Sequence, residues 1–369
     1  MAANTDLLYQ IALTQVPHIG TVQARILAEY FEDAASIFKA KKHLLEKIEG
    51  IGPVRAAAIK SFDGFQQAEG EVAFVEQYKI NALYLKNPAY PKRLLHCYDP
   101  PTVLYYKGTA DLNKSKIIAI IGTRHNTDYG KEMTHRLLEA LQPYQPLVVS
   151  GLAFGIDAQA HKKSLQLQLP TVGVLAHGLD TIYPGQHSNL ARDMVAAGGG
   201  LLTEFGHGTN PDRHNFPTRN RVVAGMCDAT IVIETAPKGG SMITANLAYS
   251  YNRDVFAFPG KVTDSRSEGC NQLIQQQKAI LLQNGEDFAI QMGWENKSQK
   301  QTTQRQLFTP LEPDEELLYQ LLQQQQSIHI DEINKSCGAL SSSAIAAALL
   351  TMELKGVVRS LPGKCYSLA

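Results

Sequence analysis

Four short turns hold the side chains of this sequence best suited to gripping a polyanion. Gly122-Thr123-Arg124 follows the apolar run 117–121 and sets a guanidinium at its end. Ser150-Gly151 closes a second apolar run, and Gly155 precedes a helical pattern whose first turn carries Asp157, where the helix dipole favours a carboxylate. The segment HNFPTRNRVVAG contributes Phe216, Arg219, Asn220 and Arg221, with Arg213 just before it. Between Phe205 and Cys227 the only acid is Asp212, while two histidines add to the cations. The fourth turn, in TAPKGGSMITANLAYS, offers Lys238, Gly240 and Ser241 at a helix start. Guanidinium forks match phosphate oxygens, and a phenylalanine among them suits an unstacked base. A glycine turn after a strand serves sheet–helix packing whether or not a ligand binds. The weight lies in convergence, because all four turns belong at one edge of one sheet. They describe a groove for single-stranded nucleic acid better than a mononucleotide pocket.

Catalytic chemistry has less support. There is no G-x-x-x-x-G-K-[ST], no H-E-x-x-H, and the first turn lacks the G-x-G-x-x-G fingerprint. Glu204 and Glu234 end strands and are candidate acid–base groups without a positioned partner, and His161 reads as a packed or surface histidine. The five cysteines show no paired spacing, which fits free thiols in a reducing compartment and neither a disulfide framework nor a zinc site. No catalytic residue, metal site or cofactor is expected. Lys+Arg and Asp+Glu balance at 35 each, so a polyanion site has to be a local patch. No apolar run reaches membrane-spanning length, and a cytoplasmic protein without membrane contact is expected.

Apolar runs at 117–121, 147–149, 172–175, 201–203, 230–233 and 255–258, with a seventh at 280–282, alternate with helical stretches. Buried parallel strands read in this way, so the spacing predicts an α/β domain with a doubly wound parallel sheet over 76–293. The proline-rich passage 78–108 reads as short strands and turns packed on the edge of that domain. Residues 1–75 hold two related hairpins, VPHIGTVQARILAEYF and IEGIGPVRAAAIKSF, of helix-hairpin-helix (SAM-like) type, with only Arg25, Arg55 and Lys60 as nearby cations. Residues 294–312 read as a polar linker, and 313–369 as a winged helix with three helices and a two-stranded wing around Pro362-Gly363.

In this order, Asp99-Pro100-Pro101, IIGTR, SGLAFGIDAQAH, TEFGHG, FPTRNRVVAG, GGSMITANLA, VFAFPG and GCNQLI resemble the DNA-processing protein A (DprA/Smf) family, bacterial proteins of natural transformation. The resemblance implies an extended Rossmann-like domain that binds and protects single-stranded DNA without cutting it. It also implies a homodimer that helps load a RecA-type recombinase. Carried over by motif, Arg124 would hold phosphate, Ser150 and Gly151 would supply the second turn, Phe216, Arg219, Asn220 and Arg221 would contact the strand, and Gly240-Ser241 would close the pocket. Two positions depart from the family's habit: Gln277-Lys278 where it commonly has Gly-Ala, and His187 where it often has asparagine. The rival reading is a nucleotide-binding phosphoribohydrolase of the cytokinin-activating kind. Its PGGxGTxxE carboxylate would fall here on Ala245 or Asn246.

Overall fold

The computed structural model describes residues 2–294, 311–325, 327–338 and 340–368. The linker expected at 294–312 lies almost wholly outside them. The chain divides into two compact units, 1–284 and 285–369.

Ile117–Ile121 is buried along its whole length, which requires helices on both faces of the strand it forms. In chain order, the first unit begins with α1 (Ala2–Gln15), α2 (Thr21–Tyr30), α3 (Ala34–Lys39), α4 (Lys42–Glu46), α5 (Gly52–Lys60) and α6 (Phe65–Gln77). There follow β1 (Asn81–Tyr84), α7 (Lys92–Leu95), β2 (Val103–Gly108), β3 (Ile117–Ile121), α8 (Asp128–Leu141), β4 (Leu147–Ser150), α9 (Ile156–Gln166) and β5 (Thr171–Val174). Then come α10 (Ser188–Ala196), β6 (Gly200–Thr203), α11 (Asn215–Gly225), β7 (Ala229–Val232), α12 (Gly240–Ser250), β8 (Asp254–Ala257), α13 (Glu268–Gln275) and β9 (Ile280–Leu281).

The sheet order is β1-β2-β6-β5-β4-β3-β7-β8-β9. From β6 to β9 every pairing is parallel, and the winding direction reverses between β3 and β7. The expected parallel sheet gains an antiparallel margin, since β2 runs against both β6 and β1. Connectivity explains this. An antiparallel β2 ends on the edge where β3 begins, so residues 109–116 join them without a crossover helix. Gly108 permits the close β2–β6 crossing, where a Cβ would stand 2.3 Å from the Gly199 carbonyl oxygen.

Packing does not break at residue 75. Ile11 and Ala12 of α1 and Ala68 and Val75 of α6 share one buried cluster with Leu104, Ile117, Val149 and Val174 of the sheet. Glu71 of α6 also accepts the His207 amide at 3.0 Å and lies 2.5 Å from its ring nitrogen Nδ1. Helices α2 to α5 close a smaller core of their own around Leu27, Ile37, Leu45 and Ile59. At the hairpin turns, Arg55 donates to the carbonyls of His18 and Gly50, each at 3.1 Å. Lys60 reaches the Phe38 carbonyl and Arg25 the Cys97 carbonyl.

The second unit contains α14 (Gly285–Gln291), α15 (Pro313–Gln323), β10 (Ile328–His329), α16 (Ile330–Ser336), α17 (Ser342–Leu354), β11 (Val358–Leu361) and β12 (Cys365–Leu368). Ser341 caps α17 by accepting the Ala344 amide at 3.2 Å. The expected two-stranded wing has a third strand, in the order β10-β12-β11. Leu318, Leu322, Ile333, Ile345, Leu349 and Met352 form the core beneath it.

Candidate nucleic-acid interface

Open α/β sheets hold ligands beyond the carboxyl ends of their strands, where the winding reverses. Here that point lies between β3 and β7, and a cavity of about 370 Å³ opens there. Four chain segments form its wall.

The first leaves β3. A Cβ at Gly122 would meet the Ile156 side chain at 2.5 Å, so only glycine lets the turn lie on α9. Thr123 donates its amide to the Glu234 carbonyl at 2.7 Å and accepts the Ile156 amide at 3.1 Å. These bonds fix the backbone from which Arg124 projects, exposed, into the opening. Glu234 is fully buried and accepts the amide of Thr127 at 2.9 Å as well as its hydroxyl. It secures the entry to α8 and does not face the cavity as an acid or base.

The second leaves β4. The Ser150 hydroxyl is buried and donates to the Ile120 carbonyl at 2.6 Å, so its contribution is to the turn. Asp157 accepts the amides of Gly151 and Ala153 at 3.2 and 3.3 Å. Burial pushes its carboxyl above the usual range, opposed by the Arg219 guanidinium. His161 is buried with Nδ1 2.6 Å from the Thr171 hydroxyl, and burial pulls its pKa down to about 3, so the ring is neutral.

The third is α11, a helix over the segment read from sequence only as a basic stretch; Pro217 is tolerated because it lies in the first turn. Phe216 is half-buried and lines the cavity. The Arg124 guanidinium sits 5.1 Å from its ring centroid and that of Arg219 6.0 Å. Arg219 is only 5% exposed. It donates to the Gly151 carbonyl at 2.6 Å and to the Val174 carbonyl, and burial lowers its pKa to about 10, leaving it charged at neutral pH. Arg219 therefore closes the cavity floor by holding the ends of β4 and β5. Arg221 is turned elsewhere, contrary to its expected contact with the strand. It pairs with Glu204 and donates to the Asp99 carbonyl, behind the cavity wall. Glu204, read as a candidate acid–base group, is spent in that pair. Its pKa rises to about 7 through burial, with Arg221 opposing.

The fourth leaves β7. Residues 239–241 open α12, with the Ser241 hydroxyl donating to Thr235 Oγ1 at 2.7 Å. Asn220 Nδ2 stands 3.5 Å from the Gly240 carbonyl and links this turn to α11. Of the residues singled out from sequence, Gly122, Thr123, Arg124, Gly151, Phe216, Arg219, Asn220, Gly240 and Ser241 line the cavity. Arg213 and Lys238 are exposed but do not line it, and Arg221 and the Ser150 hydroxyl face away. Sequence reasoning passed over His125, which lines the cavity and follows Arg124 directly. It also passed over Arg266, whose guanidinium reaches the His125 carbonyl from 141 residues away, with no local signal.

Residues 81–293 match the family model described as DNA recombination-mediator protein A, residues 302–364 the DprA winged helix domain, and residues 11–69 a helix-hairpin-helix motif. Protein Smf of Synechocystis sp. is 34% identical over 99% of both chains. The X-ray structure of DNA processing protein A from Streptococcus pneumoniae superposes with a TM-score of 0.65 at 30% identity, covering 77% of this chain and 97% of the other. A Helicobacter pylori DNA processing protein A structure, described for its single-stranded DNA binding mode, gives a TM-score of 0.51 at 31% identity, covering 57% and 95%.

Proposed function

This chain belongs to the DNA recombination-mediator protein A family, and from that premise we propose that it binds single-stranded DNA in the cavity at the carboxyl edge of its sheet. One observation carries the reading: turns from β3, β4 and β7 converge with α11 on a single cavity, where an exposed guanidinium stands over a phenylalanine ring. Arg124 neutralises a phosphate, with Arg213 and Lys238 as outlying cations on either side. Phe216 stacks on a base, and residues 122–125, 151 and 239–241 shape the backbone cradle. Arg219 and Asn220 hold the cradle in place. The wider role follows the family: the protein shields the strand from nucleases and helps a RecA-type recombinase load on it. It acts as a homodimer in the cytoplasm, without cutting the strand. A phosphoribohydrolase would need a carboxylate on the first turns of α12, where Met242 to Asn246 supply none.

Fluorescence anisotropy with labelled oligo-dT of several lengths, at two salt concentrations, tests the reading. Affinity climbs with length until the site is filled, and log affinity falls linearly with log salt. Arg124→Ala lowers that slope by ~0.7, the share of one phosphate on a single strand. Arg219→Ala weakens binding but leaves the slope near that of the wild type, because its charge is spent on backbone carbonyls. Length-independent binding, with a nucleoside monophosphate bound as well as a long strand, would favour the hydrolase instead.

A further inference from the structure

We propose that the strand path continues beyond the cavity over two further aromatic stations, Tyr183 and Phe154, which take successive bases; this rests on the single-strand reading above. Strands β6, β5 and β4 are neighbours in the sheet, and the segment leaving the carboxyl end of each presents one ring: Phe216, Tyr183 and Phe154 respectively. Tyr183 is 49% and Phe154 43% exposed, so each holds much of a large apolar ring in water. The Tyr183 and Phe216 centroids are 6.2 Å apart with planes inclined at 54°, which makes Tyr183 continuous with the cavity rim.

Both rings stand on braced backbone. The Tyr183 amide donates to Nε2 of buried His177, whose Nδ1 lies 2.8 Å from the Gly178 carbonyl. The Thr203 hydroxyl donates to the His177 carbonyl at 2.8 Å, tying this loop to the end of β6. His187 reaches across to the neighbouring loop: its Nδ1 is 2.9 Å from the Leu152 carbonyl, and its ring meets Phe154 edge-on at 4.9 Å. Rings fixed in this way lose little freedom when a base stacks on them. The acids of these loops are engaged, Asp180 with the Gly208 amide and Asp212 with the His214 amide, while Arg213 is exposed and its Nε donates to His214 Nε2 at 3.1 Å. Rings set apart on successive segments, with the Arg124 guanidinium over Phe216 and the other two exposed, suit the bases of a flexible single strand, since every base offers a π-face.

The test uses the full chain and two oligo-dT probes, one just long enough to saturate the cavity and one several nucleotides longer. Tyr183→Ala and Phe154→Ala should each weaken the longer probe about 5- to 150-fold, the ~1–3 kcal/mol of one stacked base expressed as a ratio. The shorter probe and the salt slope should be unchanged, and Tyr183→Phe should bind as the wild type does. Abasic sites beyond the cavity should weaken the wild type to the level of the alanine variants. Equal losses on both probes, no loss on either, or a Tyr183→Phe loss as large as that of Tyr183→Ala would each overturn the proposal. A wild type whose affinity ignores length, with Phe216→Ala also silent, would overturn the parent reading and this one with it.

Discussion

At the scale of single residues, the two arginines of α11 look alike in sequence and do different work. Arg219 faces the cavity floor and braces two strand ends, while Arg221 is 8% exposed and pairs with Glu204. Burial raises the pKa of the Glu204 carboxyl against the pull of the Arg221 guanidinium it contacts. Its folded pKa of about 7 lies above the ordinary 4.5. An acid raised in this way keeps its proton in the fold while the unfolded chain ionises. Its stabilising contribution is therefore complete below about pH 4.5 and is lost as pH rises to about 7. Thermal melts across that window should show wild type losing melting temperature relative to Glu204→Gln as pH rises, with a constant difference above about pH 8. A constant difference across the whole range would mean that Glu204 is already ionised in the fold.

At the scale of elements, the site depends on how strands hand over to helices. Gly155 has φ +79°, and a Cβ there would lie 2.1 Å from the Thr123 carbonyl oxygen. No side chain fits without pushing the β3 and β4 turns apart. Gly155→Ala should cost at least ~1–3 kcal/mol in backbone strain alone, read as a lower urea midpoint, and should abolish oligo-dT binding. Gly185 is the control that should tolerate alanine, because its φ is not positive and a Cβ there would have no neighbour within 4 Å. The helical hairpins show the opposite economy. The side chains of Arg55 and Lys60 donate to internal carbonyls, so these turns tie helices together with the same residue types that could reach for a phosphate.

At the scale of the molecule, the first unit holds the whole cavity, and its core includes α1 and α6. A chain ending at Asn284 should melt cooperatively and bind oligo-dT with wild-type affinity. One beginning at residue 76 should aggregate, because it uncovers the sheet residues packed against Ile11, Ala68 and Val75. Calorimetry and light scattering distinguish the two. From residue 311 to 368 the second unit carries seven carboxylates against four Lys and Arg, a formal charge of −3. Helix α17 has no cation between Ser342 and Leu354. Losing that unit should therefore leave the salt slope of DNA binding unchanged.

Much of this was legible in the sequence because the signals are local. A buried parallel strand is a short continuous apolar run, and the glycine turn after it follows within a few residues. The seven parallel strands, the turns at Gly122, Gly151 and Gly240, and the three helices of the C-terminal domain could all be read in that way. What sequence could not assign depends on partners far along the chain. Arg221 meets Glu204 and Asp99, Arg219 meets Gly151 and Val174, and Arg266 meets His125. A guanidinium forty or a hundred residues from its carbonyl leaves no mark in local spacing. The joining of α1 and α6 to the sheet and the approach of Tyr183 to Phe216 were likewise decided by tertiary packing. Residue types put glycine turns and guanidinium groups at one edge of the sheet; tertiary packing decided which of those cations stay exposed there and which are spent on carbonyls and carboxylates.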